Sequence, residues 1–324
     1  MKAFWEKNKR ELVVGLVTLA MIALFTALQP KFLTWRNFLT IFQQMVLNAI
    51  LAIGIMFTII TGGIDLSIGC IFAIVIVAVA TLATSGVPAI LAIVIGLVLG
   101  GIMGAFNAFL ITKLKLQPFI ATLGTQSLFR GIAYVVTGGN PVTNVPDSYR
   151  AIFNTKLFLD IRSYIFVMII VIVAAHIILG KMRTGNYLYS VGGNEEAAKL
   201  SGVNVVKNKY FAYIACGVCA AIAGMVMLAS LGSGEPTAGV GYETNAIAAA
   251  AIGGTSMVGG KGKPLGTFFG ALMLAVLKVG MVVIGVDSFW QYVVTGIIII
   301  VASYFEFIKQ DFTSWMARRK AAKA

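Results

Sequence analysis

The stretch NAILAIGIMFTIITGGIDLSIGCIFAIV, residues 48–75, decides how this chain folds. It is apolar for a dozen residues, breaks at Thr61-Gly62-Gly63, carries one carboxylate at Asp65 and turns apolar again from Ile68. A helix needs about 20 apolar residues to cross a hydrocarbon core of roughly 30 Å, so two such segments joined by so short a turn read as consecutive membrane helices. The rest of the chain has the same character. Of its 324 residues 59% are hydrophobic and 11% charged, and the mean hydropathy is +0.93, whereas soluble domains are about a quarter charged. The expected fold class is therefore an all-α integral membrane protein, a single domain over 1–324 with about ten transmembrane helices. Spans are expected near 12–29, 41–60, 66–84, 88–111, 118–137, 163–180, 210–231, 244–257, 264–284 and 288–308. The eighth is short and rich in Gly and Ala, which suits a tilted, broken or re-entrant segment.

The quoted stretch has a twin. At an offset of 197, Asn48-Ala49-Ile50 aligns with Asn245-Ala246-Ile247, Gly62-Gly63 with Gly259-Gly260 and Gly69 with Gly266. The same offset carries 12–29 onto 209–226 and 88–111 onto 285–308. Units of about 12–111 and 209–308 thus read as a parallel internal repeat, an arrangement found in transporters with the site between the copies. Glycines inside the spans, such as Gly96, Gly100, Gly101 and Gly104, let helix backbones approach closely in lipid.

The net charge of +13 raises the question of nucleic acid. The placement of the basic residues answers it with a topology. With ten spans and the N-terminus inside, 18 of the 25 Lys and Arg fall on the cytoplasmic side, five outside and two within spans. This is the positive-inside pattern of an N-in, C-in protein, and no nucleic-acid partner is expected. The first apolar run follows KNKR but is longer than a secretory h-region and lacks a small-x-small cleavage site, so it reads as a retained helix. Cys70, Cys216 and Cys219 all fall in apolar spans. One histidine in the chain leaves CxxC spacing at Cys216 without partners for zinc, and no metal site is expected.

Enzymatic chemistry finds little support. Thr255-Ser-Met-Val-Gly-Gly-Lys261-Gly-Lys fails the phosphate-cradle pattern at its first Gly and at the residue after Lys261, which is Gly262. No histidine lies near a serine or cysteine motif that could form a nucleophile and base. Few charges occur in the spans, where each is costly: Arg130 and Lys278 are expected to snorkel from the outer ends, Asp65 to lie at a cytoplasmic turn and Glu243 at the outer mouth of the eighth span. His176 is expected to pack or cap.

One segment reads like soluble protein: SVGGNEEAAKLSGVNVVKNK, 190–209, in the cytoplasmic loop 181–209. Gly192-Gly193 is expected to break the chain and Asn194 to cap a helix. Glu195 and Glu196 suit its positive end, Lys199 its negative end and Gly202 its left-handed exit. About two turns of helix barely form alone in water, so this one is expected to dock on a cytoplasmic partner.

Four motifs together resemble the membrane-spanning permeases of ribose/galactose-type ABC sugar importers, over nearly the whole chain. They are TGGIDLSIG (61–69), QPFIATLG (117–124), SVGGNEEAAKLSG (190–202) and GGTSMVGGKG (253–262). PTAGVGYE (236–243) is most similar to the ribose branch. The resemblance implies the vitamin-B12-importer-like permease fold and a location in the bacterial inner membrane. It implies a cytoplasmic ATPase partner that carries ATP and Mg, no cofactor on this chain, an extracytoplasmic sugar-binding protein, and a second permease copy or a sister permease. It implies that Gly193, Asn194, Glu195, Glu196, Ala197, Ala198, Lys199, Leu200, Ser201 and Gly202 form the coupling helix. Segments 138–162 and 232–243 are candidate contacts for the binding protein. Asn48, Asp65, Asn107 and Asn245 are candidates for the translocation path. An ion-coupled secondary carrier, and a nucleoside or furanone cargo within the same family, are the alternatives.

Overall fold

Residues 48–75 lie at the centre of the molecule, buried almost without interruption. The computed structural model of the protein describes residues 2–304 except 288, 299, 302 and 303, with side chains from residue 11 onward. Twelve α-helices are built within Lys2–Val283: α1 (Lys2–Leu28), α2 (Trp35–Ile60), α3 (Ile68–Thr84), α4 (Ala89–Thr112), α5 (Pro118–Thr137), α6 (Asp147–Asn154), α7 (Tyr164–Lys181), α8 (Arg183–Gly193), α9 (Glu195–Leu200), α10 (Val205–Leu231), α11 (Tyr242–Ile252) and α12 (Pro264–Val283). Residues 290–298 are helical as well. Part of the expected tenth span, and the basic residues beyond it, fall outside the described residues.

Seven of these helices are long and apolar enough to cross a membrane: α1 through Glu11–Leu28, α2, α4, α5, α7, α10 and α12. The expected third and eighth spans are shorter helices. α3 has 17 residues and α11 only 11. Each is short because the chain before it is not helical: 61–67 leads into α3, and 232–241, with Gly232, Gly239 and Gly241 at positive φ, leads into α11. No strand ladder occurs among the described residues, only isolated bridges such as Val142 with Gly234.

Local chemistry sets the helix ends. Pro118 and Pro264 open α5 and α12, where a missing N–H costs nothing. The Asn204 side chain accepts from Lys207 N at 2.9 Å to cap α10, and left-handed Gly138 and Gly232 close α5 and α10.

α2 is the hub, with α7, α10, α11 and α12 packed around it. α1 lies along α12, and α10 lies along α3 and α4. Outer faces of α1, α4, α5 and α7 expose large apolar residues such as Leu19, Ile90, Val135 and Ile170, which suits contact with lipid. Where the driving force cannot be hydrophobic, close backbone approach replaces it. A Cβ on Gly100 would lie 2.5 Å from the Gly217 carbonyl oxygen, and one on Gly104 would strike the carbonyl of Tyr213. Gly101, one residue round the helix, has its neighbours at 3.7 Å or more. Cys219 packs in the same manner against Gly54 of α2, where an added Cβ would stand 2.8 Å from its own Cβ.

Gly104→Ala is therefore expected to lower stability by about 1–3 kcal/mol through overpacking of the α4–α10 seam. Gly101→Ala should be neutral or slightly stabilising, because it removes a helical glycine from an open position. Thermal unfolding of both variants in lipid nanodiscs checks the pair.

Candidate functional site

The segment expected on the cytoplasmic side starts from α8, which runs through Gly192 and Gly193 instead of breaking there; the chain turns one residue later, at Asn194 with φ −160° and ψ 106°. The glycines serve a close contact, not a turn. A Cβ on Gly192 would overlap the carbonyl of Ile60, the last residue of α2, and would stand 2.7 Å from Gly260 N. Gly260 N donates to the same Ile60 oxygen at 2.9 Å, and a Cβ on Gly259 would lie 2.8 Å from Gly192 O and 3.1 Å from Gly62. Three glycine pairs, 62–63, 192–193 and 259–260, thus converge beneath α2. Tyr189 of α8 adds a hydrogen bond to Gly262 O at 2.6 Å, and burial pushes its phenol upward, which keeps it a donor.

α9 stands on this platform. Asn194 Oδ1 accepts from Ala197 N at 2.9 Å, and Gly202 exits at φ +80°. Val203 N closes the end on Ala198 O at 3.0 Å. Ala198 faces inward. Glu195 is held by Lys209 at 2.7 Å, so it anchors α9 to the start of α10. Glu196, Ala197, Lys199 and Ser201 are exposed, and Leu200 is 90% exposed at the tip. An apolar side chain so exposed beside a carboxylate offers a knob for another surface.

The four residues marked for the path separate. Asp65 and Asn107 come together, fully buried. Asp65 Oδ1 accepts from Ser67 N at 2.9 Å and from Ser67 Oγ at 2.7 Å, and Asn107 Nδ2 reaches the carboxylate at 3.2 Å. Thr125 of α5 donates to Asn107 Oδ1 at 2.7 Å, and Thr122 donates to Ile64 O at 3.1 Å. Asp65 does lie in the turn between α2 and α3, and there it is the buried centre of a network tying 61–67 to α4 and α5. The hydroxyl of Tyr213, against Gly63, is buried without a hydrogen-bond partner among the described residues. Asn48 is buried and spends its amide on Gln44 O at 3.0 Å. Asn245 is half-buried near the start of α11.

The guanidinium of Arg130 is tied down instead of free to snorkel: its Nη1 donates to Pro236 O at 2.7 Å and Ala238 O at 2.8 Å. Glu243 sits at the start of the short α11, where its carboxylate accepts from Gln126 of α5 at 3.4 Å. Sequence reasoning missed Thr125, Gln126 and Tyr189 because each acts through a partner distant in the chain. His176 lines a groove of about 880 Å³ between α1, α7 and α12, which also holds the Glu11–Lys263 ion pair at 2.7 Å.

Asn107→Ala removes the amide that holds a buried carboxylate and is expected to cost about 3 kcal/mol. Asn48→Ala breaks one intrahelical bond and should cost under about 1 kcal/mol. Chemical denaturation of the two purified variants in matched lipid checks the difference.

Comparison with known proteins bears on what this arrangement does. Residues 37–303 match the family described as branched-chain amino acid transport system / permease component. The ribose import permease protein RbsC of Bacillus subtilis (strain 168) is 42% identical over 290 residues, covering 89% of each chain. The D-allose transport system permease protein AlsC of Escherichia coli (strain K12) is 38% identical over 92% of this chain and 91% of its own. The fructose import permease protein FruG of Bifidobacterium longum (strain NCC 2705) is 34% identical over 90% of this chain and 88% of its own. No solved structure matches significantly. By the match over 37–303 and by these relatives, the chain belongs to the family of branched-chain amino acid transport system permease components.

Proposed function

We propose that this chain is the permease of an ATP-driven importer that carries a monosaccharide, a ribose-like pentose or a hexose, into the cytoplasm. Its relatives named for ribose, allose and fructose support that cargo class, and they favour it over an ion-coupled carrier. The protein is a multi-pass protein of the bacterial inner membrane. In this reading it has ten membrane segments with both termini inside and the fold of vitamin-B12-type importers. It forms one domain over 1–324 built of two parallel units, and it completes its pore with a second copy or a sister permease. The exchange of helices between the units supports the repeat: α1 packs on α12, and α10 on α3.

The observation that carries the coupling role is the geometry of α9. Its outward residues, Glu196 and Leu200, are free to dock in a groove of a cytoplasmic ATPase, where ATP and Mg are bound and hydrolysed. Its root is rigid. Because Gly192 is seated against Ile60 and Gly260, and Glu195 is tied to Lys209, a push on α9 moves the end of α2 and the turn that feeds α12. Both helices belong to the central packing, so ATPase closure tilts the core rather than bending a loop. Closure on one side and release on the other present the path alternately outward and inward.

On the outer face the sugar-binding protein would meet 138–162, which includes α6. The 232–241 segment is less available, since Gly234, Pro236, Ala238 and Gly239 are buried. Tyr149 of α6 is pinned to Met225 O of α10 at 3.1 Å, with its phenol pushed upward by burial, so this outer segment has a firm seat. Of the path candidates, Asn48, Asp65 and Asn107 act in this reading as supports of the path wall, and Asn245 lies nearest to open space.

Leu200→Asp combined with Glu196→Lys is expected to cut ATP-driven uptake at least about tenfold and to abolish co-purification of the ATPase, with normal amounts of permease in the membrane. Normal uptake by that variant would sink the docking role. Exchanging Glu195 and Lys209 with each other should retain most uptake, because the anchoring pair is preserved.

A further inference from the structure

Gln126 and Arg130 straddle the middle of the 20-residue α5, one turn apart and on one face. Glu243, in the first turn of α11, meets Gln126 there. α11 spans about 16 Å from the cytoplasmic turn at 253–263, which sets its first turn near the middle of a core of roughly 30 Å. The start of α3 reaches the same level: a Cβ on Gly69 would stand 2.7 Å from Glu243 Oε2 and would overlap the carbonyl of Gly239.

Arg130 and Glu243 form no ion pair with each other or with any other charge among the described residues. Arg130 spends its guanidinium on the carbonyls of Pro236 and Ala238. Among the described residues the carboxylate of Glu243 makes one side-chain hydrogen bond, the long 3.4 Å one with Gln126, and its other oxygen lies against Gly69. All three side chains are half-buried, and Thr237, Val240 and Thr244 beside them are exposed. A carboxylate at this depth is too costly to face lipid, so the patch faces protein or a water-filled space. The two non-helical segments at the same depth carry the same implication, because irregular backbone is tolerated there only where it is buried or lines a cavity.

The groups left open are a carboxylate, an amide and a hydroxyl, which together accept and donate. That set fits a neutral molecule whose hydroxyls do both. We propose that Glu243, Gln126 and Thr244 form a hydroxyl-binding station for the sugar halfway through the membrane, with Arg130 as a positioning residue that holds the 236–238 backbone beneath it. The station rests on the import reading given above. It takes over the role expected of Asp65 and Asn107, whose polar atoms are committed to each other. A weak, open site suits conduction, since cargo must also leave it.

The test uses proteoliposomes holding the complete transporter, with its ATPase and binding protein, and labelled ribose, allose and fructose. Glu243→Gln is expected to lower sugar moved per ATP hydrolysed about tenfold, with the ATPase rate within about twofold of wild type. An unchanged ratio, or an equal fall in uptake and hydrolysis, would overturn the station. Thr244→Cys gives a second readout, because the native Cys70, Cys216 and Cys219 are all buried. A charged thiol reagent should label it, and transported sugar should slow the labelling; a residue that stays unlabelled faces lipid and overturns the proposal. Wild-type liposomes that move none of the three sugars would overturn the import reading itself.

Discussion

Hydrocarbon offers a backbone no hydrogen bonds, and this chain carries two non-helical stretches, 61–67 and 232–241, among its membrane helices. Side chains of the segments themselves and of neighbouring helices supply what lipid cannot. Asp65 takes the Ser67 N–H, Thr122 takes the Ile64 carbonyl, and Arg130 takes the carbonyls of Pro236 and Ala238. Most of this polar lining comes from α4 and α5, which explains why a 59% hydrophobic chain retains Asn107, Thr122, Thr125 and Arg130 inside apolar helices. These two non-helical stretches bring the starts of α3 and α11 together, with Gly69 against Gly239 and Glu243.

A second constraint is the spacing of glycines. Between α4 and α10 they bring backbones together where lipid provides no hydrophobic drive. Beneath α2 the three glycine pairs do something different: they make a joint with no side chains to compress. Force applied at α9 passes through backbone contacts at Gly192, Ile60 and Gly260. A joint of this kind is stiff, which suits the lever role proposed for α9.

The local features were legible in the sequence. Asn194, Glu195, Glu196, Lys199 and Gly202 announce α9 because caps and end charges act within one or two turns. The seven long helices follow from apolar length alone. What escaped was set by tertiary contact. Gly192-Gly193 looked like a breaker, yet the helix continues because these glycines answer to Ile60 and Gly260 rather than to a turn. Asp65 is a turn residue as it looked, but its burial did not show because its partner Asn107 lies 42 positions away. Arg130 looked like a snorkelling end residue because the carbonyls it binds lie more than 100 positions away. The shortness of the eighth span was legible in its Gly and Ala content, whereas the non-helical stretch 232–241 before it was not, because its backbone is held by Arg130 from a distant helix.

In the proposed mechanism, ATP hydrolysis on the partner ATPase, transmitted through α9, drives a sugar across this core. Uptake of labelled ribose, allose and fructose, in cells with and without this gene, tests it most directly when ATP depletion is compared with collapse of the ion gradients. The account predicts gene-dependent uptake of at least one sugar that survives gradient collapse and stops with ATP. Uptake that stops with the gradients and survives ATP depletion would contradict it and leave the exposed α9 without a purpose.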